Sequence, residues 1–572
     1  ISYKKKTFKR RVLNIAFSKP LDSQISPSNL KKEVIKLSYF NLGDYLDLQK
    51  PLQYEWLKWA KRTLLHASMV DFSAKTLSNF KVLVGVLLFA KKLNLKDEEN
   101  IGILLPSSNV CAIINLTLLT QKKVIVNLNY TSNTNSLQNC LENAGIKTIL
   151  TSKKFIEKLN AREINFNAQI IQKFFYLEDL KITKFDKIRA FVKAMLPKIL
   201  IEKLYFKKAN LDDTAAIIYS SGSEGEPKGI VLTHKNLLTN IVQVSDLLGR
   251  ENIQVMLSSL PVFHSFGLTL TTLYPLYSNL KSVFVADPTD GFTLGTMLQK
   301  HKAEVIFGTS TFFRLYTKNK KVTKEMFESI KYAVAGGEKL NLNTKNEFEA
   351  KFDKEILEGY GTTETSPVIS VNLPNEIKDG KVQIFNKRGS VGMPLNGTIV
   401  KIVDPNTLKE LEDYENGLIL VGGHQVMKGY FNKTSDVLVE ADGIKYYKTG
   451  DIGYLDQDYF IYITDRISRF AKLGGEMISL SMVENALHEV LCDDDIISVT
   501  NLKDDKKGEK IVLLYEGEKN IDKIKELIKN SNLNALMRPS VIHKVEKIPV
   551  LGTGKVNFKG VKDLALQLDR QY

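Results

Sequence analysis

The chain has 572 residues, 43% of them hydrophobic and 25% charged, and a formal net charge of +16. At about 150 residues per domain this length predicts roughly two to four globular domains, and the composition excludes a disordered or collagen-like chain. The three cysteines form no CxxC pair, which excludes a disulfide-rich scaffold and a cysteine-rich zinc site. The positive charge favours anionic partners: nucleotide phosphates, an acidic protein, nucleic acid or an anionic membrane.

The predicted elements start with a strand at residues 12–17, after a basic cluster at residues 4–11, and a helix at residues 26–37. From about residue 77 to residue 465 short apolar strands alternate with helical segments, which predicts an α/β fold with helices covering the sheets. No apolar run approaches the ~18 residues of a membrane span. The strands are predicted at residues 101–105, 123–128, 147–151, 215–219, 255–260, 283–286 and 305–308, and the helices at residues 82–93 and 109–120.

The chain after about residue 495 has a different pattern. Strands at residues 496–501, 510–515 and 541–547 and a helix at residues 521–529 predict a small α+β domain.

One segment, residues 184–208, is strongly basic and amphipathic. It carries eight basic and two acidic residues, and its apolar residues recur at helical spacing. One interpretation is a helix that lies on an anionic membrane or receives an acidic protein. The other, which we expect, is a solvated helix whose apolar face packs on the core, with a kink at Pro197.

The strongest functional pattern is Tyr-Ser-Ser-Gly-Ser-Glu-Gly-Glu-Pro-Lys-Gly at residues 219–229, directly after a predicted strand. Its glycines allow backbone N–H groups to approach phosphate oxygens, its serines add hydroxyl donors, and its lysine adds a positive charge. The spacing is not that of a Walker A loop. The candidate phosphate-binding residues are Ser220, Ser221, Gly222, Ser223, Gly225 and Lys228.

This loop resembles the phosphate loop of the adenylate-forming acyl synthetases, a family that includes acyl-CoA synthetases, peptide-synthetase adenylation domains and luciferases. Further motifs of that family follow in its order and at its spacing, and the resemblance covers about residues 75–570. It implies a large N-terminal domain of layered α/β sheets with a small β subdomain, and a small mobile α+β C-terminal domain. It also implies ATP and Mg²⁺ as cofactors.

The resemblance assigns roles around the nucleotide. Tyr360 would stack on adenine, Asp451 would accept the ribose hydroxyls with Arg466 near ribose and phosphate, and Ser223 and Glu364 would hold Mg²⁺, which prefers oxygen ligands. The α-phosphate would contact Thr363. The remaining residues implied at the nucleotide are Gly336, Gly337, Glu338, Gly359, Gly361 and Thr362.

Other roles concern the acyl group and the domain motion. His264 would border the substrate carboxylate, and residues 307–313 could line an acyl tunnel, with core packing as the alternative. Lys555 would enter the site during adenylation, and rotation about Ser468 would then bring the Lys472 region in. The implied reaction is attack of a carboxylate on the α-phosphorus of ATP, followed by transfer of the acyl group to a thiol.

Within the family, four short sequence motifs resemble those of one bacterial group. This group is the bifunctional acyl-[acyl-carrier-protein] synthetases, which also carry a lysophospholipid acyltransferase, and the motifs resemble those of its synthetase half. The motifs are Ser-Gly-Ser-Glu-Gly, Phe-His-Ser-Phe-Gly, Gly-Thr-Ser-Thr-Phe and Arg-Phe-Ala-Lys-Leu-Gly-Gly-Glu-Met. This resemblance implies a long-chain fatty acid and acyl-carrier protein as substrates. It also implies that the acyl group is then used to reacylate a lysophospholipid. It also implies a protein peripheral to, or tethered at, the cytoplasmic side of the bacterial inner membrane.

The implied organisation has three parts. Residues 1–70 would be the tail of an upstream acyltransferase-like region and linker, residues 71–466 the adenylation domain, and residues 467–572 the C-terminal domain. His66 and Asp71 spell the His-x4-Asp of an acyltransferase, but no Phe-Pro-Glu-Gly follows, so we expect a coincidence and no transferase activity in this chain.

Three alternatives are left by the sequence. A long-chain fatty acyl-CoA synthetase would share the chemistry and differ in the thiol. A non-catalytic nucleotide-binding protein could retain the fold, but the presence of Lys555, Glu364 and Asp451 argues against it. A nucleic-acid binder is suggested by charge alone; the basic residues are dispersed and no nucleic-acid module is recognisable.

Overall fold

The structure, a computed structural model, describes most of the chain. The described residues are 17, 20–21, 24–72, 76–95, 97–220, 227–249, 252–378, 380–473, 476–491, 495–504, 508–531, 533–550 and 556–570. The predicted strand at residues 12–17 and the basic cluster at residues 4–11 therefore lie, apart from Phe17, outside the described residues. Within the described part of the chain, no helix is both long enough and apolar enough to cross a bilayer.

The helices are distributed along the whole described chain. In chain order they are α1 (Pro27–Asp47), α2 (Leu52–Arg62), α3 (Asn79–Lys92), α4 (Asn109–Thr120), α5 (Thr134–Asn143), α6 (Lys153–Asn160), α7 (Ala168–Ile171), α8 (Lys184–Met195), α9 (Lys198–Tyr205), α10 (His234–Leu248), α11 (Tyr274–Tyr277), α12 (Gly291–His301), α13 (Ser310–Lys318), α14 (Leu342–Phe352), α15 (Leu480–Val490), α16 (Ile521–Lys529) and α17 (Phe558–Asp569). A π-helix, Phe266–Leu273, precedes α11.

The strands of the described residues form five sheets. In chain order they are β1 (Ala67–Asp71), β2 (Leu77–Ser78), β3 (Asn100–Leu104), β4 (Val124–Asn127), β5 (Ile149–Thr151), β6 (Phe174–Tyr176), β7 (Thr214–Ser220), β8 (Lys228–Thr233), β9 (Val255–Ser258), β10 (Lys281–Phe284), β11 (Val305–Gly308), β12 (Tyr332–Ala335), β13 (Ile356–Gly361), β14 (Val368–Val371), β15 (Glu376–Lys378), β16 (Lys381–Gln383), β17 (Met393–Pro394), β18 (Ile399–Val403), β19 (Gly417–Gly422), β20 (Gly429–Tyr430), β21 (Leu438–Ala441), β22 (Ile444–Leu455), β23 (Ile461–Arg466), β24 (Phe470–Leu473), β25 (Glu476–Ser479), β26 (Ile496–Asp504), β27 (Gly508–Glu516) and β28 (Val541–Lys544).

Two large, mostly parallel sheets form the body. One has nine strands in the order β17-β14-β13-β12-β11-β9-β10-β1-β2, with β13 through β1 parallel. The other has seven, in the order β20-β8-β7-β4-β3-β5-β6, with β7 through β6 parallel. Helix α4 is buried along nearly all of its length and contacts β4 of one sheet and β1 of the other, as expected of a helix that is apolar all round.

Two smaller units follow the large sheets. Strands β18, β19, β21, β22 and β23 form an antiparallel sheet with its own apolar clusters, which is the predicted β subdomain. From β24 onward, five strands and the helices α15 to α17 form a domain with separate cores. The predicted fold class, a large α/β domain followed by a small α+β domain, is confirmed.

The segment before the body packs on it. Ser26 caps α1, accepting a hydrogen bond from the backbone N–H of Asn29 at 3.2 Å, and Trp56 of α2 is fully buried in the main core. Strand β1 pairs in parallel with β10, so residues 67–71 belong to the nine-stranded sheet. The origin of residues 1–70 as the tail of an acyltransferase-like region stays a prediction.

The basic segment at residues 184–208 forms helices as predicted, but it is oriented differently. Helix α8 ends at Met195 and α9 begins at Lys198, so Pro197 separates two helices. The expectation that the apolar face packs on the core is wrong, because Phe185 and Ile188 are among its exposed side chains. The small residues Ala190 and Ala194 face the body instead.

Candidate active site

The predicted phosphate loop connects two paired strands. Strands β7 and β8 are antiparallel, and Ser220, the last residue of β7, pairs with Lys228, the first residue of β8. The ammonium of Lys228 lies 5.7 Å from the ring centroid of Tyr430, on the adjacent strand β20. The predicted ligands Ser221, Gly222, Ser223 and Gly225 lie outside the described residues.

A tight turn at the end of β13 carries the predicted adenine and magnesium segment. A Cβ on Gly361 would lie 2.0 Å from the carbonyl oxygen of Pro367, so the close crossing of the chain there requires glycine. A 3₁₀ turn, Thr363–Thr365, follows directly, with Thr362 at its N-cap. The hydroxyl of Thr363 lies 3.4 Å from that of Ser265, which precedes the π-helix.

Asp451 joins three elements in one hydrogen-bonded group. It lies on β22 opposite Arg466 of β23, and the Nε of Arg466 donates to its Oδ1 at 2.5 Å. The Tyr360 hydroxyl donates to its Oδ2, also at 2.5 Å. Burial, and then the Asp451 charge, raise the pKa of Tyr360 well above its usual range, so the phenol stays protonated. A carboxylate has about four lone-pair sites, so Asp451 keeps acceptor capacity for a vicinal diol.

Glu364 has a partner that the sequence did not reveal. The Tyr430 hydroxyl donates a hydrogen bond to its Oε1 at 3.0 Å, which fixes the carboxylate and leaves acceptor capacity for a cation. Burial, and then the nearby Glu364 charge, raise the pKa of Tyr447, so a second neutral phenol adjoins the group. Tyr430 follows Gly429 in a two-residue strand, and only its pairing with β8 marks its position.

A cavity starts at Tyr360 and Thr363 and continues between the π-helix and the nine-stranded sheet. It encloses about 1120 Å³, including its open mouth. Its polar end is lined by Gly336, Gly337, Gly359, Tyr360, Gly361, Thr362, Thr363, His264 and Ser265. Its apolar end is lined by Val244, Leu247, Leu248, Leu260, Phe266, Leu270, Phe307, Phe312, Tyr332, Val334, Val371 and Leu373. Within the described part of the chain, no Asp, Glu, Lys or Arg side chain lines it.

Some predicted residues occupy other positions. Glu338 accepts a hydrogen bond from the backbone N–H of Thr311 at 2.6 Å, so its carboxylate serves the N-terminus of α13. Phe307 and Phe312 line the cavity, whereas Phe313 packs against Phe348 in the core. The two alternatives for residues 307–313 therefore each apply to part of that segment.

The predicted hinge lies between the two domains. Ser468 is in a 3₁₀ turn, Ile467–Arg469, between β23 and β24, and Lys472 is in β24. The carboxylate of Asp465 accepts hydrogen bonds from Ser479 and from Ser481, the latter at 2.8 Å, so it links the end of β23 to the start of α15. Lys555 lies outside the described residues.

The donor set fits a magnesium nucleotide. Asp451 can accept ribose hydroxyls, Tyr360 presents an aromatic ring beside two glycine-lined strand ends, and Glu364 offers a carboxylate oxygen to a hard cation. Lys228 adds a positive charge at the base of the predicted phosphate loop. Fold and site together define a nucleotide-binding enzyme with an adjoining apolar pocket.

Comparison with known proteins gives the family. The model of the AMP-binding enzyme family matches residues 82–431, more than half of the chain, and the chain belongs to this family. Enzymes of this family use ATP with Mg²⁺. A long-chain-fatty-acid–CoA ligase of Bacillus subtilis is 30% identical over 352 residues, which cover 60% of this chain and 60% of the relative's length.

Two further matches cover more of the chain. A 4-coumarate-CoA ligase of Narcissus pseudonarcissus is 28% identical over 82% of this chain and 85% of its own length. The crystal structure of ATP-bound MatB from Rhodopseudomonas palustris has a TM-score of 0.74 at 21% identity, over 91% of this chain and 99% of that chain. At that identity the structural likeness shows the fold.

Proposed function

We propose that this chain activates a long-chain fatty acid with ATP and transfers the acyl group to the thiol of acyl-carrier protein. One observation carries the proposal: a single cavity extends from Tyr360, whose hydroxyl donates to Asp451, to an uncharged apolar wall. A nucleotide at the polar end and an alkyl chain at the apolar end would meet at His264 and Thr363, which both line the cavity.

The first half-reaction needs no protein nucleophile. An oxygen of the fatty carboxylate attacks the α-phosphorus of ATP, a new oxygen–phosphorus bond gives the acyl-adenylate, and the bond from the α-phosphorus to the leaving pyrophosphate breaks. Asp451 and Arg466 would hold the ribose, Tyr360 the adenine and Thr363 the α-phosphate, so the rate enhancement would come from positioning and charge. Bound Mg²⁺ would neutralise phosphate charge, held by Glu364 and, as the sequence predicts, Ser223.

The lining of the apolar end supports a long alkyl chain as the substrate class. Leu270, Phe307 and Phe312 offer only carbon surface, and each buried methylene contributes roughly 0.8 kcal/mol. A second carboxylate or a charged amino group placed there would find no charged partner among the described lining residues, and burying an unpaired charge is costly. An apolar acid therefore fits better than a dicarboxylic acid or an amino acid.

Two thiols are candidates for the second half-reaction. The net charge of +16 and the motif spellings support acyl-carrier protein, which is acidic, and its product would feed lysophospholipid reacylation. The relatives that act on coenzyme A support an acyl-CoA ligase as the second candidate.

A parallel thioester assay separates these candidates. The purified chain with Mg-ATP and labelled palmitate receives holo-acyl-carrier protein in one reaction and coenzyme A in the other, with the thiol-free apo-carrier as the control. We expect faster thioester formation on the holo-carrier. Faster formation on coenzyme A would select the second candidate, and absence of palmitate-dependent ATP–pyrophosphate exchange would reject both.

A further inference from the structure

The outer faces of helices α8 and α9 carry many exposed apolar side chains. Four side chains spaced as on one helix face, Phe185, Ile188, Val192 and Met195, are each exposed by half or more. They form what we call the apolar stripe. With Phe191 of α8 and Ile199, Leu200 and Leu204 of α9, eight large apolar side chains are 42–69% exposed within twenty-one residues, positions 184 to 204. Soluble monomers rarely expose so large a contiguous patch without using it.

The opposite face of α8 explains this orientation. Asp186, Ala190 and Ala194 form a narrow stripe that is buried against the body, where small side chains allow close packing. Asp186 accepts from Thr183 at the start of the helix and pairs with Lys91 and Lys92 of α3. The helix is therefore fixed with its apolar residues outward by specific contacts on its other side.

Most basic side chains of this segment are exposed, and its acidic side chains are not. The two acidic side chains of the segment are turned to the body, with Asp186 8% and Glu202 12% exposed, and Glu202 pairs with Lys50 and Lys198. Six basic residues of the segment are exposed: Lys184, Lys187, Arg189, Lys203, Lys207 and Lys208. A cleft beside α9, lined by Lys50, Tyr54, Glu202, Lys203 and Lys208, adds a recess with three lysines and one glutamate next to the apolar side chains.

We propose that the α8–α9 face binds the surface of an anionic lipid bilayer. The apolar stripe would enter the boundary between head groups and acyl chains, and the flanking lysines and arginine would reach the phosphates with their charged ends. Helix α8 is about 18 Å long, which suits a helix lying in the plane of the interface. Lysine and arginine side chains bury their methylene groups while keeping the charge in the polar layer.

Two other occupants fit the same surface less well. A second copy packed through this face about a two-fold axis would bring two sets of six exposed basic residues together, and like charges repel. An acidic protein would match the charge, but charge complementarity alone leaves the eight exposed apolar side chains unexplained. A bilayer that contains phosphatidylglycerol satisfies both features at once.

Vesicle flotation of the full chain tests the proposal. We expect binding to phosphatidylglycerol vesicles, weakened by salt, and much less binding to phosphatidylcholine vesicles. Replacing the apolar stripe with serine, in the combined variant Phe185→Ser, Ile188→Ser, Val192→Ser and Met195→Ser, should weaken binding at least about tenfold. The variant Lys184→Gln, Lys187→Gln and Arg189→Gln should lose roughly fivefold per charge on the anionic vesicles.

The hairpin β15–β16 offers a matched control. Ile377 and Val382 are 79% and 61% exposed, so Ile377→Ser with Val382→Ser removes exposed apolar surface elsewhere and should leave vesicle binding unchanged. Unchanged ATP–pyrophosphate exchange in the stripe variant will show that it is folded. Equal vesicle binding by the stripe variant and the parent chain would overturn the proposal. The proposal would also be overturned if the parent chain binds no vesicles and the stripe variant loses a dimer that the parent chain forms. The same holds if the parent chain binds no vesicles and the stripe variant loses binding to carrier protein.

Discussion

Beside the polar end of the cavity the carboxylates of Asp451 and Glu364 are each held by a hydrogen-bond partner, whereas the apolar end is shaped by packing. Asp451 is fixed by Tyr360 and Arg466, and Glu364 is fixed by Tyr430. At the other end, residues such as Val244 and Phe307 line the cavity as members of the main apolar cluster. A substitution at the polar end therefore breaks a particular contact, while one at the apolar end changes the available volume.

This difference predicts separable effects. Changes at the polar end should alter nucleotide or metal affinity and leave the choice of fatty acid unaltered. Changes at the apolar end should alter the choice of fatty acid and leave nucleotide affinity unaltered. A variant that alters both equally would contradict the division.

The largest effect is expected from Asp451→Asn. This change removes the charge that holds Arg466 and that would bind the ribose diol, while the side chain keeps its shape. The loss of charge-assisted hydrogen bonds, about 2–3 kcal/mol, corresponds to roughly 30- to 150-fold weaker ATP binding. Calorimetry of ATP binding measures it, and the palmitate KM should stay the same.

A control on the same subdomain makes this test specific. Asp442 is an exposed carboxylate at the turn between β21 and β22, and Asp442→Asn removes the same charge at a distance from the cavity. Its ATP affinity should match that of the parent chain. Unchanged ATP affinity in Asp451→Asn would remove the ribose role from Asp451.

The polar end could be predicted from the sequence because its chemistry needs particular residue types at fixed spacing. Tyr360, Asp451 and Arg466 come together as expected, although they lie on three different strands. Tyr430 was missed because nothing in its local sequence marks it, and its role follows from the pairing of β20 with β8. The Glu338 carboxylate accepts a hydrogen bond at the start of a helix, and its assignment to the nucleotide stays a prediction.

The apolar segments show what periodicity cannot supply. The bounds of α4 and β11 match the predicted residues 109–120 and 305–308, because continuous apolar runs define buried elements well. In α8 the same periodicity correctly predicted a helix, but a repeat of 3.6 residues does not say whether the apolar side faces the core or solvent. The small residues Ala190 and Ala194 are the signal that the other face packs on the body.

An intermediate effect is expected at the apolar end from Val244→Phe. Val244 of α10 lines the cavity, and a larger side chain there takes the space of about two substrate methylenes. At roughly 0.8 kcal/mol per methylene, kcat/KM for palmitate should fall about tenfold relative to hexanoate, with unchanged ATP affinity. Val242→Phe, on the same helix but outside the lining, is the matched control. An equal loss with both acids would point to a general defect instead.

The smallest effect is expected from Tyr430→Phe, which separates the two functions of this ring. The phenylalanine keeps the aromatic surface below Lys228 and removes the hydroxyl that donates to Glu364. Because Glu364 is half-buried, water can replace part of that bond, so the rate of ATP–pyrophosphate exchange should fall only about three- to tenfold. Without its partner the Glu364 carboxylate samples more rotamers, and exchange should therefore require more Mg²⁺ for half-maximal rate.

The control is the exposed Tyr414→Phe, which should change neither the exchange rate nor its Mg²⁺ requirement. If Tyr430→Phe leaves the Mg²⁺ dependence unaltered, the hydrogen bond does not position Glu364 for a cation, and the metal role of that carboxylate loses its main structural support.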